Sequence, residues 1–124
     1  MPVRSLNSPL LRWPDRHLVD LALRAWAADA ARVHPETSRI GVFGSFARGE
    51  WSFGSDLDLI VLVRSTDRPV HERTMTWDTF TLPVPADLLI YTEAEWSALM
   101  AGQTRFGGIL QRELRWVWPA PDKS

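Results

Sequence analysis

The chain has 124 residues, so a single domain with one real core is expected. It has no cysteine, which excludes disulfides and cysteine-ligated zinc. Its formal charge is −1, with acids and bases spread along the chain, so no basic patch of the kind that holds nucleic acid is visible.

The opening MPVRSLNSPLLRW lacks the long apolar run of a secretory signal, and no later run approaches the length of a membrane span. A cytoplasmic location is expected. Residues 1–14, punctuated by Pro2, Pro9 and Pro14, read as an irregular arm, 15–118 as the domain and 119–124 as a tail. Asp15 is a candidate N-cap for a helix in which Val19, Leu23, Trp26, Ala30 and Val33 recur at spacings of three and four. Pro35 ends it. Leu18 and Leu21, off that stripe, read as scattered surface apolars.

Arg39–Phe43 (RIGVF) reads as a strand, broken by Gly44 and followed by a turn into a short helix. Leu57–Val63 (LDLIVLV) is the clearest strand. Leu57, Leu59, Val61 and Val63 share one face, and Ile60 and Leu62 fill the other, so a strand covered on both sides is expected. Asp67 before Arg68-Pro69 resembles a helix start, giving an expected helix within 67–80, though three threonines oppose it. Ala86–Tyr91 reads as a third strand. Thr92 with Glu95 forms a capping-box pattern at the head of a helix running to about Gly102. Residues 105–114 read as a last short helix and Arg115–Trp118 as an edge strand. Trp116 and Trp118 are expected on one face of it. This alternation implies an α/β fold with a mixed sheet and helices packed on it.

Asp56 and Asp58 project the same way from the head of the Leu57–Val63 strand. Asp87 stands at the head of the next. If those strands are neighbours, three carboxylates converge. Asp78 is a rival third acid, but it lies in the threonine-rich segment without a strand around it. Carboxylates this close raise one another's pKa unless a counter-charge is present. Carboxylate oxygen suits Mg²⁺ or Mn²⁺, and two such ions about 3.5–4 Å apart clamp both oxygens of an in-line phosphoryl displacement. Mg²⁺ commonly keeps substrate phosphates among its ligands, so a nucleoside triphosphate is the expected ligand.

Gly44 lets the backbone turn tightly and approach a ligand. The short helix after it offers free N–H groups that favour anions, and Ser45 can add its hydroxyl. Arg48 either adds charge to the ligand or forms a structural salt bridge. Gly49 and Gly54 let the loop fold back towards the acids. Within that loop Trp51 and Phe53 either stack on a base or a partner, or cover the core. His17, His34 and His71 show no ligand spacing and read as surface residues. Most of the seven tryptophans are expected in or against the core, with an interface as the second role.

Gly44-Ser45, ten residues, then Asp56-Leu57-Asp58 resembles the signature of the nucleotidyltransferase (DNA polymerase β-like) superfamily. The fuller GSFARG…SDLDL is similar to its minimal branch, the MNT domains. The resemblance runs from about Asp15 to Trp118. It implies a mixed sheet of about four strands and Mg²⁺-dependent transfer of NMP from an NTP, with ATP the expected donor. It implies Asp56, Asp58 and Asp87 as catalytic and metal-binding residues, and Gly44, Ser45 and Arg48 as nucleotide-binding residues. Minimal members of this size are often encoded beside a HEPN-domain protein, as toxin–antitoxin pairs. There the MNT protein resembles an antitoxin that adenylylates a tyrosine of the HEPN ribonuclease. Two alternatives stand beside this: a non-catalytic antitoxin that neutralises its partner by contact, and a transferase acting on a small hydroxyl compound such as an aminoglycoside, with a pocket completed by a dimer.

Overall fold

Helix α1 (Arg16–Val33) starts where Asp15 caps it, its carboxylate accepting the Leu18 N–H at 2.9 Å. These residues come from a computed structural model, which describes residues 14–52 and 54–120. Nearly all of the expected N-terminal arm, the roles weighed for Phe53, and residues 121–124 lie outside the described residues. The α1 stripe Val19, Leu23, Trp26 and Ala30 is buried, together with Ala27 and Ala31. Val33, expected on that stripe, is instead exposed. It is the last helical residue, and the chain turns off at His34-Pro35 towards the first strand.

The remaining elements are β1 (Thr37–Phe43), α2 (Gly44–Arg48), β2 (Leu57–Val63), a 3-10 helix (Val70–Thr76), β3 (Ala86–Thr92), α3 (Glu93–Ala101), α4 (Arg105–Glu113) and β4 (Arg115–Trp118). They match the expected order, with β1 starting two residues early. The expected helix within 67–80 is reduced to the 3-10 segment. Its branched threonines disfavour α-helix, and side-chain bonds hold the segment in place. Arg73 donates to the Ile90 carbonyl at 3.0 Å and forms a two-pronged pair with Glu95. Glu95 also closes the capping box with Thr92 that opens α3.

The four strands form one mixed sheet in the order β3-β2-β1-β4. β2 pairs with β3 in parallel and with β1 antiparallel, and β4 is an antiparallel edge on β1. Leu57, Leu59, Val61 and Val63 join one cluster with Val19, Leu23 and Trp26 of α1. Ile60 and Leu62 join a second with Leu110 of α4, lined by Trp96 and Leu99 of α3. The sheet is thus covered by helices on both faces. Truncating a fully buried member such as Leu59 to alanine costs about 2–5 kcal/mol.

Trp116 and Trp118 do not share a face. Trp116 packs in the second cluster and Trp118 against the first. The pairing moves from Gly41↔Trp116 to Ile40↔Trp118, so two residues of β4 are spent against one of β1. This bulge shifts the alternation by one residue.

Candidate active site

Strand pairing explains the spacing of the motif. In the β1–β2 ladder Phe43 lies opposite Asp58, so the chain leaves β1 beside the acid it must return to. Gly44, the next residue, has φ +78°, and a Cβ there would collide with the Asp58 carboxylate. Only glycine fits that conformation and that gap. The chain then makes the single turn of α2, reverses through Gly49 (φ +81°) and Gly54 (φ +84°), and enters β2. Trp51 fastens this excursion. Its indole N–H donates to the Pro14 carbonyl at 3.0 Å, and its ring meets Phe46 edge-on at 5.2 Å. Of the two roles weighed for Trp51, covering the core is the one it performs.

The third acid arrives through the parallel pair. Asp58 is the register partner of Asp87, on the sheet face that carries Ile60 and Leu89. Asp58 is half-buried, while Asp56 and Asp87 are exposed. Burial pushes the Asp58 carboxyl above its ordinary pKa, the charges of Asp87 and Asp56 push it further, and Arg48 partly opposes them. Asp78 is spent locally: its carboxylate accepts the Phe80 N–H at 2.8 Å, and its carbonyl accepts the Trp26 indole N–H at 2.7 Å. An open cleft of about 310 Å³ runs beside Asp87, bounded by Thr74, Trp77, Thr79, Ala86 and Leu88.

Arg48 bridges two carboxylates. Its Nε donates to Glu50 at 3.0 Å, and its Nη1 donates to both oxygens of Glu113 at 3.2 Å. These bonds, to Glu50 first, raise the guanidinium pKa further. Glu113 also accepts the Gly44 N–H at 3.2 Å. The sequence reading missed Glu113. A signal was available: an acid in the last turn of a helix faces the negative end of the helix dipole, so it calls for a cationic partner.

Among the described residues, no three His, Asp or Glu are gathered closely enough to enclose a metal ion. The donor chemistry nevertheless fits one. Two carboxylates on adjacent strands and a third two residues upstream offer oxygen ligands from one side, which suits Mg²⁺ or Mn²⁺. Burial is the larger cause of the raised Asp58 pKa, and the repulsion from Asp87 and Asp56 that adds to it is what a divalent cation would offset. The histidines contribute nothing here. His17 and His71 are exposed as expected, whereas His34 is half-buried and stacks on Trp77 with ring centroids 3.9 Å apart.

Residues 29–109 match the family model of the nucleotidyltransferase domain. Among solved structures, a candidate nucleotidyltransferase from Sulfolobus solfataricus superposes with a TM-score of 0.56 at 19% identity, over 67% of this chain and 75% of that one. A toxin–antitoxin structure with AMP-PNP superposes with a TM-score of 0.51 at 19% identity, over 77% of this chain and 72% of that one. At such identities the likeness establishes the fold. No curated protein gives a match.

Proposed function

The chain belongs to the nucleotidyltransferase domain family, and from that premise we propose that it moves AMP from ATP to a hydroxyl group, in a Mg²⁺-dependent reaction that releases pyrophosphate. The observation that carries this reading is the register pairing of Asp58 with Asp87, beside the Gly44 turn. Asp56, Asp58 and Asp87 would hold the metal, which when bound supplies charge stabilisation for the reacting phosphate. Gly44 and Ser45 receive the triphosphate, and Arg48 supplies positive charge beside it. Asp87 lies at the mouth of the cleft lined by Thr74, Trp77 and Thr79, where it orients the acceptor hydroxyl and accepts its proton. The hydroxyl oxygen bonds to the α-phosphorus, and the bond to pyrophosphate breaks.

The acceptor we propose is a tyrosine of a HEPN-type toxin, with this chain as its antitoxin. Two things support it: the similarity of GSFARG…SDLDL to the MNT branch, and a toxin–antitoxin structure with AMP-PNP among the neighbours in fold. Incubation with Mg²⁺, labelled ATP and the product of the adjacent reading frame tests the reading. Label should pass to the partner. Transfer that persists in an Asp56→Ala/Asp58→Ala variant would sink it.

A second reading, neutralisation by contact alone, draws on the open, one-sided set of carboxylates. Undiminished protection of cells by the same acid-to-alanine variant would favour it.

Among the described residues no helix is long and apolar enough to cross a membrane. We place the reaction in the cytoplasm and treat residues 15–118 as the working domain.

A further inference from the structure

We propose that Glu113 is a positioning residue for the nucleotide loop, fixing Arg48 and the Gly44 turn in one arrangement; this rests on the nucleotidyltransferase reading above. Glu113 lies 69 positions beyond Gly44, on an element outside the GSFARG…SDLDL stretch. One of its carboxylate oxygens accepts both the Gly44 N–H and Arg48 Nη1 at 3.2 Å, and the other accepts Arg48 Nη1 at the same distance. Its side chain is 17% exposed, against 63% for Glu50, the other carboxylate on Arg48. An exposed pair such as Arg48–Glu50 contributes little and restricts the guanidinium weakly. The sheltered carboxylate is the one that sets the direction of the guanidinium fork. Glu113 in turn is held by α4, anchored through the buried Leu110. It reaches the ligand only through Arg48 and the turn, so it acts by placement.

The test uses the full chain and the dissociation constant of a non-hydrolysable ATP analogue with Mg²⁺, with thermal melting recorded for every variant. Glu113→Gln keeps an acceptor for the Gly44 amide and loses the negative charge that faces Arg48. It should weaken binding about five- to ten-fold, the size of one ordinary net hydrogen bond, with little change in melting temperature. Arg48→Gln should weaken binding at least as much. The double variant should bind within about two-fold of Arg48→Gln alone, because the two residues act as one unit.

Unchanged or tighter binding by Glu113→Gln overturns the inference, as do effects of the two substitutions that simply multiply. If Glu113→Ala unfolds, Glu113→Gln still decides. A wild-type chain that binds no analogue sinks both the functional reading and this inference. A wild type that binds, beside a Glu113→Gln variant that binds equally well, sinks the inference alone.

Discussion

The Asp58 carboxylate lies against the Cα of Gly44 so closely that no side chain fits between them. Two motif halves that are separate in sequence are therefore one packed unit. Gly44→Ala adds a collision to the backbone strain of φ +78° and should cost about 2–3 kcal/mol. Gly49→Ala is the control. Its φ of +81° carries similar strain, but nothing lies within 4 Å of the added methyl, so about 1–2 kcal/mol is expected. Denaturant unfolding of the two variants measures the difference, and equal losses would contradict the packing.

Asp58 is held at a cost. Its pKa is raised by burial, then by Asp87 and Asp56, so the folded chain keeps this proton to higher pH than the unfolded chain does. The sign follows: this carboxyl favours the fold most below the ordinary carboxylate pKa, and that contribution is lost as pH rises through the raised value. At neutral pH, without metal, Asp58→Asn should therefore melt a few degrees higher than wild type. Mg²⁺ at a hundred times its dissociation constant should stabilise the wild type by about 2.7 kcal/mol and the variant much less. Melting curves with and without Mg²⁺ read both effects.

Asp87 is exposed and borders the cleft, so it can be removed without opening the core. Asp87→Asn should lower transfer by about 10²-fold or more, the usual loss for a missing proton acceptor. Binding of a non-hydrolysable ATP analogue should fall far less. Filter-bound label and calorimetry separate the two quantities.

Glu95 gives the opposite pH signature to Asp58. Its hydrogen bonds to Arg73, then to the Thr92 backbone, hold its carboxyl down at about 2. Its stabilising contribution is complete above about pH 4.5 and is lost as pH falls towards 2. Glu95→Gln should flatten that part of the acid-unfolding curve. Arg73→Ala should do the same and also leave the Ile90 carbonyl without its partner, costing about 2 kcal/mol more.

Elements whose signal is local were legible in the sequence. The Asp15 cap, the Thr92–Glu95 box and the two-faced β2 strand are each written in a few adjacent residues, and each is present in the fold. Features that depend on distant partners were not. The β4 bulge is set by pairing with β1, so Trp116 and Trp118 were assigned one face that they do not share. His34 found its stacking partner 43 residues away in Trp77. The 3-10 segment depends on Arg73 reaching β3 and Glu95, which no periodicity announces. In the candidate site, the strand reading located Asp58 and Asp87. Glu113 escaped because its contacts cross from the end of α4 to Gly44 and Arg48 of α2, far away in sequence.

The parallel β2–β3 pair also has a kinetic consequence. β1 and β2 close through the short excursion 44–56, whereas β3 joins only after the crossover 64–85 has been laid over the sheet. Longer closure costs more chain entropy, so the Gly44–Asp58 half can assemble before Asp87 arrives. If β3 docks after the rate-limiting barrier, the complete set of carboxylates exists only past it. Mg²⁺ should slow unfolding and leave the refolding rate unchanged in stopped-flow mixing. Refolding accelerated by Mg²⁺ would instead mean that Asp87 docks before the barrier is crossed.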